Sequence, residues 1–113
     1  MNPLQDRLRH LLLEVVQTEG EVTYRELAER LGLTAPQRIR RVTDALEALM
    51  ADDVASGRPL LAALCVSQRH ALPARGFFVT ARALGVFEGD AEGPEASAFH
   101  VQELRRARSF YRR

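Results

Sequence analysis

The stretch Gly20–Gly32, GEVTYRELAERLG, decides the fold. Thr23 and Glu26 have the spacing of a capping box, in which each side chain bonds the backbone N–H of the other residue at the start of a helix. Gly32 ends the segment, because glycine accepts the left-handed backbone angle that commonly closes a helix. We therefore predict a short helix with both ends fixed, whose inward face is formed by Leu27, Ala28 and Leu31.

A second helix start follows at once. In LTAPQ, Thr34 is the predicted cap, Pro36 occupies the first turn, and Gln37 completes a second capping box. This predicts a helix from about residue 35 to 51, joined to the first by a tight link. Its apolar face comprises Ile39, Val42, Leu46, Leu49 and Met50. Two helices joined in this way form a helix-turn-helix.

The outward face of this second helix is rich in arginine. Arginine and glutamine side chains read base edges or bind phosphates. In DNA-binding helix-turn-helix proteins, the first turns of the second helix enter the major groove. We therefore predict double-stranded DNA as the partner; the alternative is a charged face that serves only solvation. The predicted contacts here are Gln37, Arg38, Arg40 and Arg41, while Asp44 limits the length of the basic surface.

Length and composition limit the possible architectures. The chain has 113 residues, is 46% hydrophobic and 27% charged, and carries a net charge of +1. We predict a single domain over residues 1–113, with a core from about 3 to 86 and a C-terminal helix from about 94 to 112. The low net charge means that any nucleic-acid surface must be a local cluster. Charges near the start and the lack of a long apolar run predict a cytoplasmic protein without membrane association.

The remaining segments complete a fold that is mainly α with a small sheet (α+β). Asn2 is a predicted cap for a first helix from Pro3 to Thr18. Residues 60–68 are predicted as a mostly buried strand, although their alanines and leucines also fit a helix, and 69–76 are predicted as a loop. Residues 77–85 are either a return strand or a helix, and their spacing favours a helix.

This order of elements resembles the winged helix-turn-helix DNA-binding superfamily, in which a strand and a wing follow the recognition helix. In that arrangement, basic residues of the wing contact the DNA backbone or the minor groove. The resemblance therefore implies that the loop is the wing, with Arg69 and Arg75 as further DNA contacts and His70 beside them.

Gly20–Phe78 also resembles the DNA-binding domain of the alkylguanine alkyltransferase and alkyltransferase-like family, through GEVTYRELAERLG, RRVTDAL and ARGFF. The resemblance implies that Tyr24 contacts a phosphate and that Arg41 takes the place of a flipped base. Thr23, next to Tyr24, is predicted as a further DNA contact. The family's Pro-Cys-His-Arg active site is absent, since the chain reads LCVSQRH around Cys65. The resemblance thus implies kinship of fold without the transfer chemistry.

Catalytic and metal-binding signatures are missing from the sequence. Cys65 lies in an apolar run, which favours a buried thiol over a nucleophile. The adjacent Asp52 and Asp53 are predicted to be a solvated helix end. His10, His70 and His100 lack the spacing of metal ligands. We therefore predict that the protein is not an enzyme and has no catalytic residues, no metal and no cofactor.

The C-terminal segment ELRRARSFYRR surrounds Phe110 and Tyr111 with arginines. The favoured interpretation is an amphipathic helix packed on the core. A homodimer through this helix and a basic arm for nucleic acid are the alternatives. For the whole chain, a regulator or DNA-binding accessory factor is the favoured function. A protein-interaction module using exposed apolar side chains such as Leu33, Leu72 or Phe110, and a damaged-base sensor, are the other candidates.

Overall fold

The computed structural model describes residues 3–113, so the predicted cap Asn2 lies outside the described residues. The helices are α1 (Pro3–Thr18), α2 (Tyr24–Arg30), α3 (Arg38–Ala55), α4 (Arg75–Ala83) and α5 (Pro94–Tyr111), with strands β1 (Val22–Thr23) and β2 (Cys65–Val66) and a 3₁₀ helix at Leu61–Leu64. The chain is therefore mainly helical with a small two-stranded sheet, as predicted, and this fold class is consistent with a winged helix-turn-helix domain.

The core lies between α1, α2, α3 and the 3₁₀ segment. Helix α1 contributes apolar side chains at helical spacing, because residues three and four apart share one face. These side chains are buried together with the inward faces of α2 and α3. The largest fully buried side chains of the core are Leu8, Leu12, Val15, Val16, Val22, Leu27, Val42, Leu49, Met50, Leu60, Leu61 and Leu64. The long third helix is thus held along its length by apolar packing.

The sheet is smaller than the sequence predicts. Strands β1 and β2 pair in parallel, with Val22 opposite Cys65 and Thr23 opposite Val66. The prediction of a strand over residues 60–68 is wrong for most of its length, since Leu61–Leu64 forms the 3₁₀ helix. Leucine and alanine lack the β-branched shape that favours a pleated surface, so this run satisfies its burial without extended pairing.

The segment from 67 to 74 is not a β-hairpin wing. Its turn is closed by Ser67 N–H to Leu72 O at 2.7 Å and Ala71 N–H to Ser67 O at 3.0 Å. The chain then enters α4 directly, so the helix favoured for residues 77–85 is confirmed, although it begins earlier, at Arg75. Within residues 3–113 no return strand follows β2.

Helix α5 packs on the protein's own core. Glu103 Oε2 accepts a hydrogen bond from Leu60 N–H at 2.9 Å, and His100 Nε2 lies 2.9 Å from Ala63 O. The Tyr111 hydroxyl donates to Pro59 O at 2.8 Å. These contacts tie one face of α5 to the 3₁₀ segment, as the favoured interpretation of the C-terminal segment predicts.

Membrane-spanning helices and clustered metal ligands are both absent from residues 3–113. None of the helices described there combines the length and the hydrophobicity needed to cross a membrane. In the same residues, no group of three or more histidine, cysteine, aspartate or glutamate side chains is arranged to hold a metal ion.

Candidate nucleic-acid interface

Helix α2 begins and ends where the sequence predicts. Glu26 N–H donates to Thr23 Oγ1 at 3.1 Å, and Thr23 N–H donates to Glu26 Oε1 at 3.0 Å, which confirms the capping box. The hydrogen bonds from Thr23 lower the pKa of the Glu26 carboxyl. At the other end, Gly32 has φ +71° and Leu33 N–H donates to Ala28 O at 2.9 Å. The first helix of the motif is therefore fixed at both termini.

Helix α3 begins later than predicted, at Arg38 instead of about residue 35. The prediction of a second capping box is wrong, since Gln37 has a left-handed backbone (φ 63°) and makes no side-chain capping bond. The physical reason lies at Pro36, because a proline ring disfavours helical geometry at the preceding residue, here Ala35. The link between α2 and α3 consequently spans residues 31–37 and exposes Gln37 beside the first turn of α3.

The buried face of α3 begins at Val42. The sequence pattern places Ile39 in the core, but 41% of its surface is exposed. Because the helix starts at Arg38, Ile39 lies in its first turn, and Val42 is the first residue of α3 to reach the core. An exposed aliphatic side chain among arginines is suited to contact the methyl group of thymine in the major groove.

The arginines of the first turns of α3 remain available to a ligand. Arg40 Nε lies 4.0 Å from Asp44 Oδ2, but these side chains are 75% and 69% exposed, so the pair contributes little. Arg41 is exposed and Arg38 is partly exposed. No carboxylate within residues 3–113 forms an ion pair with either of them. The beginning of α3 therefore presents positive charge to solvent.

Tyr24 and Thr23 are engaged inside the protein. The Tyr24 hydroxyl accepts a hydrogen bond from Ala74 N–H at 2.7 Å, and burial raises the pKa of this phenol. This bond ties the start of α2 to the residue before α4. Thr23 Oγ1 is taken up by the capping bond to Glu26. The geometry thus gives both residues a positioning role on the helix-turn-helix.

Arg69 lies within the segment that follows β2, and Arg75 is the first residue after it. Arg69 is exposed, whereas Arg75 Nε pairs with Glu92 Oε1 at 3.2 Å, with both side chains largely in solvent. Ala74 lines the same cavity as Thr43 of α3. The structure therefore brings the end of this segment beside the middle of α3, without the sheet that a wing would add.

Asp53 is a structural anchor that the sequence-based prediction missed. Its neighbour Asp52 is exposed, but Asp53 is 0% exposed, so the prediction of a solvated helix end is wrong for Asp53. Asp53 Oδ1 accepts from Arg9 at 2.9 Å and from Arg58 at 3.3 Å, and Oδ2 accepts from Leu61 N–H at 3.2 Å. Its spacing from buried residues 49 and 50 is the sequence signal that would have placed it on the inward face.

Cys65 is buried on β2, as expected. Burial, with a smaller contribution from the charge of Glu26, raises the pKa of its thiol. A buried and protonated thiol is a poor nucleophile. The only cysteine of the chain therefore packs in the core.

Comparison with known proteins gives one family match, in the first half of the chain. Residues 5–54 match the model of a family described as "Winged helix-turn-helix DNA-binding". The matched segment contains α2 and nearly all of α1 and α3, so it covers the helix-turn-helix part of the candidate interface and supports DNA binding, while Arg69 and Arg75 lie outside it. The searches of curated proteins and of solved structures returned no significant match. They therefore add no support for the alkyltransferase resemblance.

Proposed function

We propose that this protein is a small non-enzymatic DNA-binding protein, a transcriptional regulator or DNA-binding accessory factor, that inserts the first turns of α3 into the major groove. The observation that carries the proposal is the exposed arginine face at the start of α3, within the segment that matches the winged helix-turn-helix family. A major groove about 12 Å wide admits an α-helix. Helix α3 has 18 residues and is anchored by core packing, so it enters as a rigid element.

The contacts divide by chemistry. We assign Arg38, Arg40 and Arg41 to phosphates and guanine edges, because guanidinium groups bind both. Gln37 and Ile39 lie beside them and supply amide and aliphatic contacts to bases. Arg69 and Arg75 belong to the proposed interface as contacts to the DNA backbone, reached from the segment beside α3 rather than from a wing.

The test is the salt dependence of duplex binding. Fluorescence anisotropy with a mixed-sequence duplex would be measured over a range of salt for the wild type and for the triple variant Arg38→Ala/Arg40→Ala/Arg41→Ala. The binding constant K decreases with salt, and the magnitude of the slope of log K against log salt falls by about 0.9 for each phosphate that the protein no longer neutralises. We expect weaker binding and a slope reduced by up to about 2.7 in the triple variant.

A charge-matched control separates this surface from general electrostatics. The variant Arg82→Ala/Arg105→Ala/Arg113→Ala removes three exposed arginines of α4, α5 and the C-terminal end. It should bind like the wild type. Equal losses in the two triple variants, or salt-independent binding in all three proteins, would overturn the assignment to α3.

A protein-interaction module is the second candidate, and the exposed Ile39 favours it. A partner protein that docks on α3 would rely on this aliphatic side chain, and its binding would change little with salt. Ile39→Ala would then abolish partner binding, whereas in DNA binding it removes one contact among several. Of the apolar side chains predicted for such a surface, Leu33 is buried, while Phe110 is 58% exposed on α5.

A homodimer through α5 remains part of the proposal. Since one face of α5 packs on the core, the dimer would use an exposed apolar side chain outside that face, such as Phe110. A symmetric dimer would place two α3 helices about 34 Å apart, one turn of DNA. Light scattering coupled to size exclusion tests this directly: a dimer that Phe110→Ser dissociates supports it, and a monomer at all concentrations refutes it.

The damaged-base sensor is the least favoured candidate. The alkyltransferase resemblance assigns Tyr24 to a phosphate, but its hydroxyl is bonded to Ala74 N–H. A phenol that is largely buried and bonded in this way would have to leave its internal partner before it could reach a DNA backbone.

A further inference from the structure

A partly enclosed cavity lies between α3 and the start of α4. Its volume is about 200 Å³. Leu46 and Met50 of α3 and Phe77 of α4 form much of its wall. An apolar cavity of about 150 Å³ is large enough to bind benzene, so this one accommodates a single ring with a short substituent.

One charged group lines this cavity. Glu47 projects from α3 into the lining, beside Thr43 and Tyr24. Within residues 3–113, no arginine, lysine or histidine forms an ion pair with the Glu47 carboxylate. The cavity therefore pairs an apolar wall with a carboxylate that lacks a cation.

Gly76 keeps the space next to this carboxylate open. A Cβ atom placed at residue 76 would lie 3.0 Å from Glu47 Oε2. Because a side chain here would push the carboxylate aside, glycine preserves both the shape of the cavity and the position of its charge.

We propose that this cavity binds a small organic cation, in which a compact aromatic or aliphatic group fills the apolar part and an ammonium pairs with Glu47. Anionic ligands are excluded, since the carboxylate would repel them. Neutral ligands of the same shape bind more weakly, because a hydrogen bond to a charged group contributes about 1.5–3 kcal/mol, or about ten- to a hundredfold in affinity.

Three probes of similar shape and different charge test the proposal. Benzylammonium, benzyl alcohol and benzoate would be titrated separately into the ¹⁵N-labelled full chain without DNA, with amide shifts followed by NMR. We expect benzylammonium to bind at least about tenfold more tightly than benzyl alcohol, and benzoate not to bind. The amide signals of Thr43, Ala74 and Gly76 should shift together.

The variants separate the site from nonspecific association. Glu47→Gln keeps the side-chain shape and should bring the affinities of benzylammonium and benzyl alcohol together. Asp44→Asn removes an exposed carboxylate from the same helix and should preserve their difference. Gly76→Ala should weaken benzylammonium binding, while its amide spectrum should remain that of a folded protein. An unchanged preference in Glu47→Gln, or similar binding of all three probes, overturns the proposal. Because DNA is absent, the result does not depend on the proposed function.

Discussion

Replacing Asp53 tests whether one buried carboxylate holds α3 to α1 and to the 3₁₀ segment. Asp53→Asn retains the shape of the side chain and removes its charge from Arg9 and Arg58. Removing one partner of a buried ion pair costs about 3–5 kcal/mol. Here the Arg9 and Arg58 side chains are 24% and 36% exposed and regain some hydration, so we expect a loss of about 2–3 kcal/mol.

Thermal unfolding followed by circular dichroism measures this loss. For a domain of this size, 1 kcal/mol shifts Tm by about 4 °C, so Asp53→Asn should unfold about 10 °C below the wild type. The matched control is Asp52→Asn, an exposed neighbour that accepts a bond from Gln5 Nε2 and should change stability by less than about 0.5 kcal/mol. Equal unfolding temperatures for the two variants would refute the anchoring role.

The same variant separates stability from DNA recognition. Asp53 lies 15 residues beyond Arg38 along α3, which corresponds to about 22 Å at 1.5 Å per residue. At temperatures where Asp53→Asn remains folded, its affinity for DNA should therefore equal that of the wild type. A specific loss of DNA affinity without unfolding would contradict the proposed location of the interface.

Three further predictions concern the elements around the helix-turn-helix. Thr23→Ala should lower the free energy of unfolding in urea by about 1 kcal/mol, while Thr23→Ser keeps the cap and stays near the wild type; equal losses would contradict the capping role. Gly32→Ala should cost about 1 kcal/mol or more because of its positive φ, whereas an unchanged urea midpoint would show that the turn relaxes freely. Tyr24→Phe should cost about 1–3 kcal/mol at neutral pH by leaving Ala74 N–H unpaired. Because the pKa of Tyr24 is raised in the folded state, its contribution is complete below about pH 10 and is lost above it. When the free energy of unfolding is measured at about pH 8 and at about pH 11, it should therefore fall less in Tyr24→Phe than in the wild type. An equal fall in both proteins would contradict this.

Local rules predicted the helix ends where a short-range pattern governs them. Helix α1 extends from Pro3 to Thr18 as the apolar spacing indicates, and α2 carries the predicted capping box at Thr23. The same rules failed at Gln37, where the backbone restriction imposed by Pro36 outweighed the capping pattern. Residues 61–64 failed for another reason, since an apolar run does not reveal whether burial will be satisfied by a strand or by a 3₁₀ turn.

The candidate site was only partly predictable. The arginines at the start of α3 could be predicted from the sequence, because their exposure follows from the helical spacing of the buried Val42, Leu46 and Leu49. The cavity at Glu47 could not, since Gly76 and Phe77 reach it only through the packing of α4 on α3. The inward position of Asp53 follows from its helical spacing, but its ion pair with Arg9, 44 residues away, could not be predicted from any local pattern.

The bonds at the end of α5 constrain the order in which the protein folds during synthesis. Tyr111 bonds Pro59, and Arg112 Nε donates to Val16 O at 2.8 Å, so the terminal turn touches segments made long before it. Helices α1, α2 and α3 can associate as soon as residue 55 has left the ribosomal tunnel. The side of Leu60–Ala63 that α5 contacts therefore stays uncovered in the nascent chain until α5 has emerged.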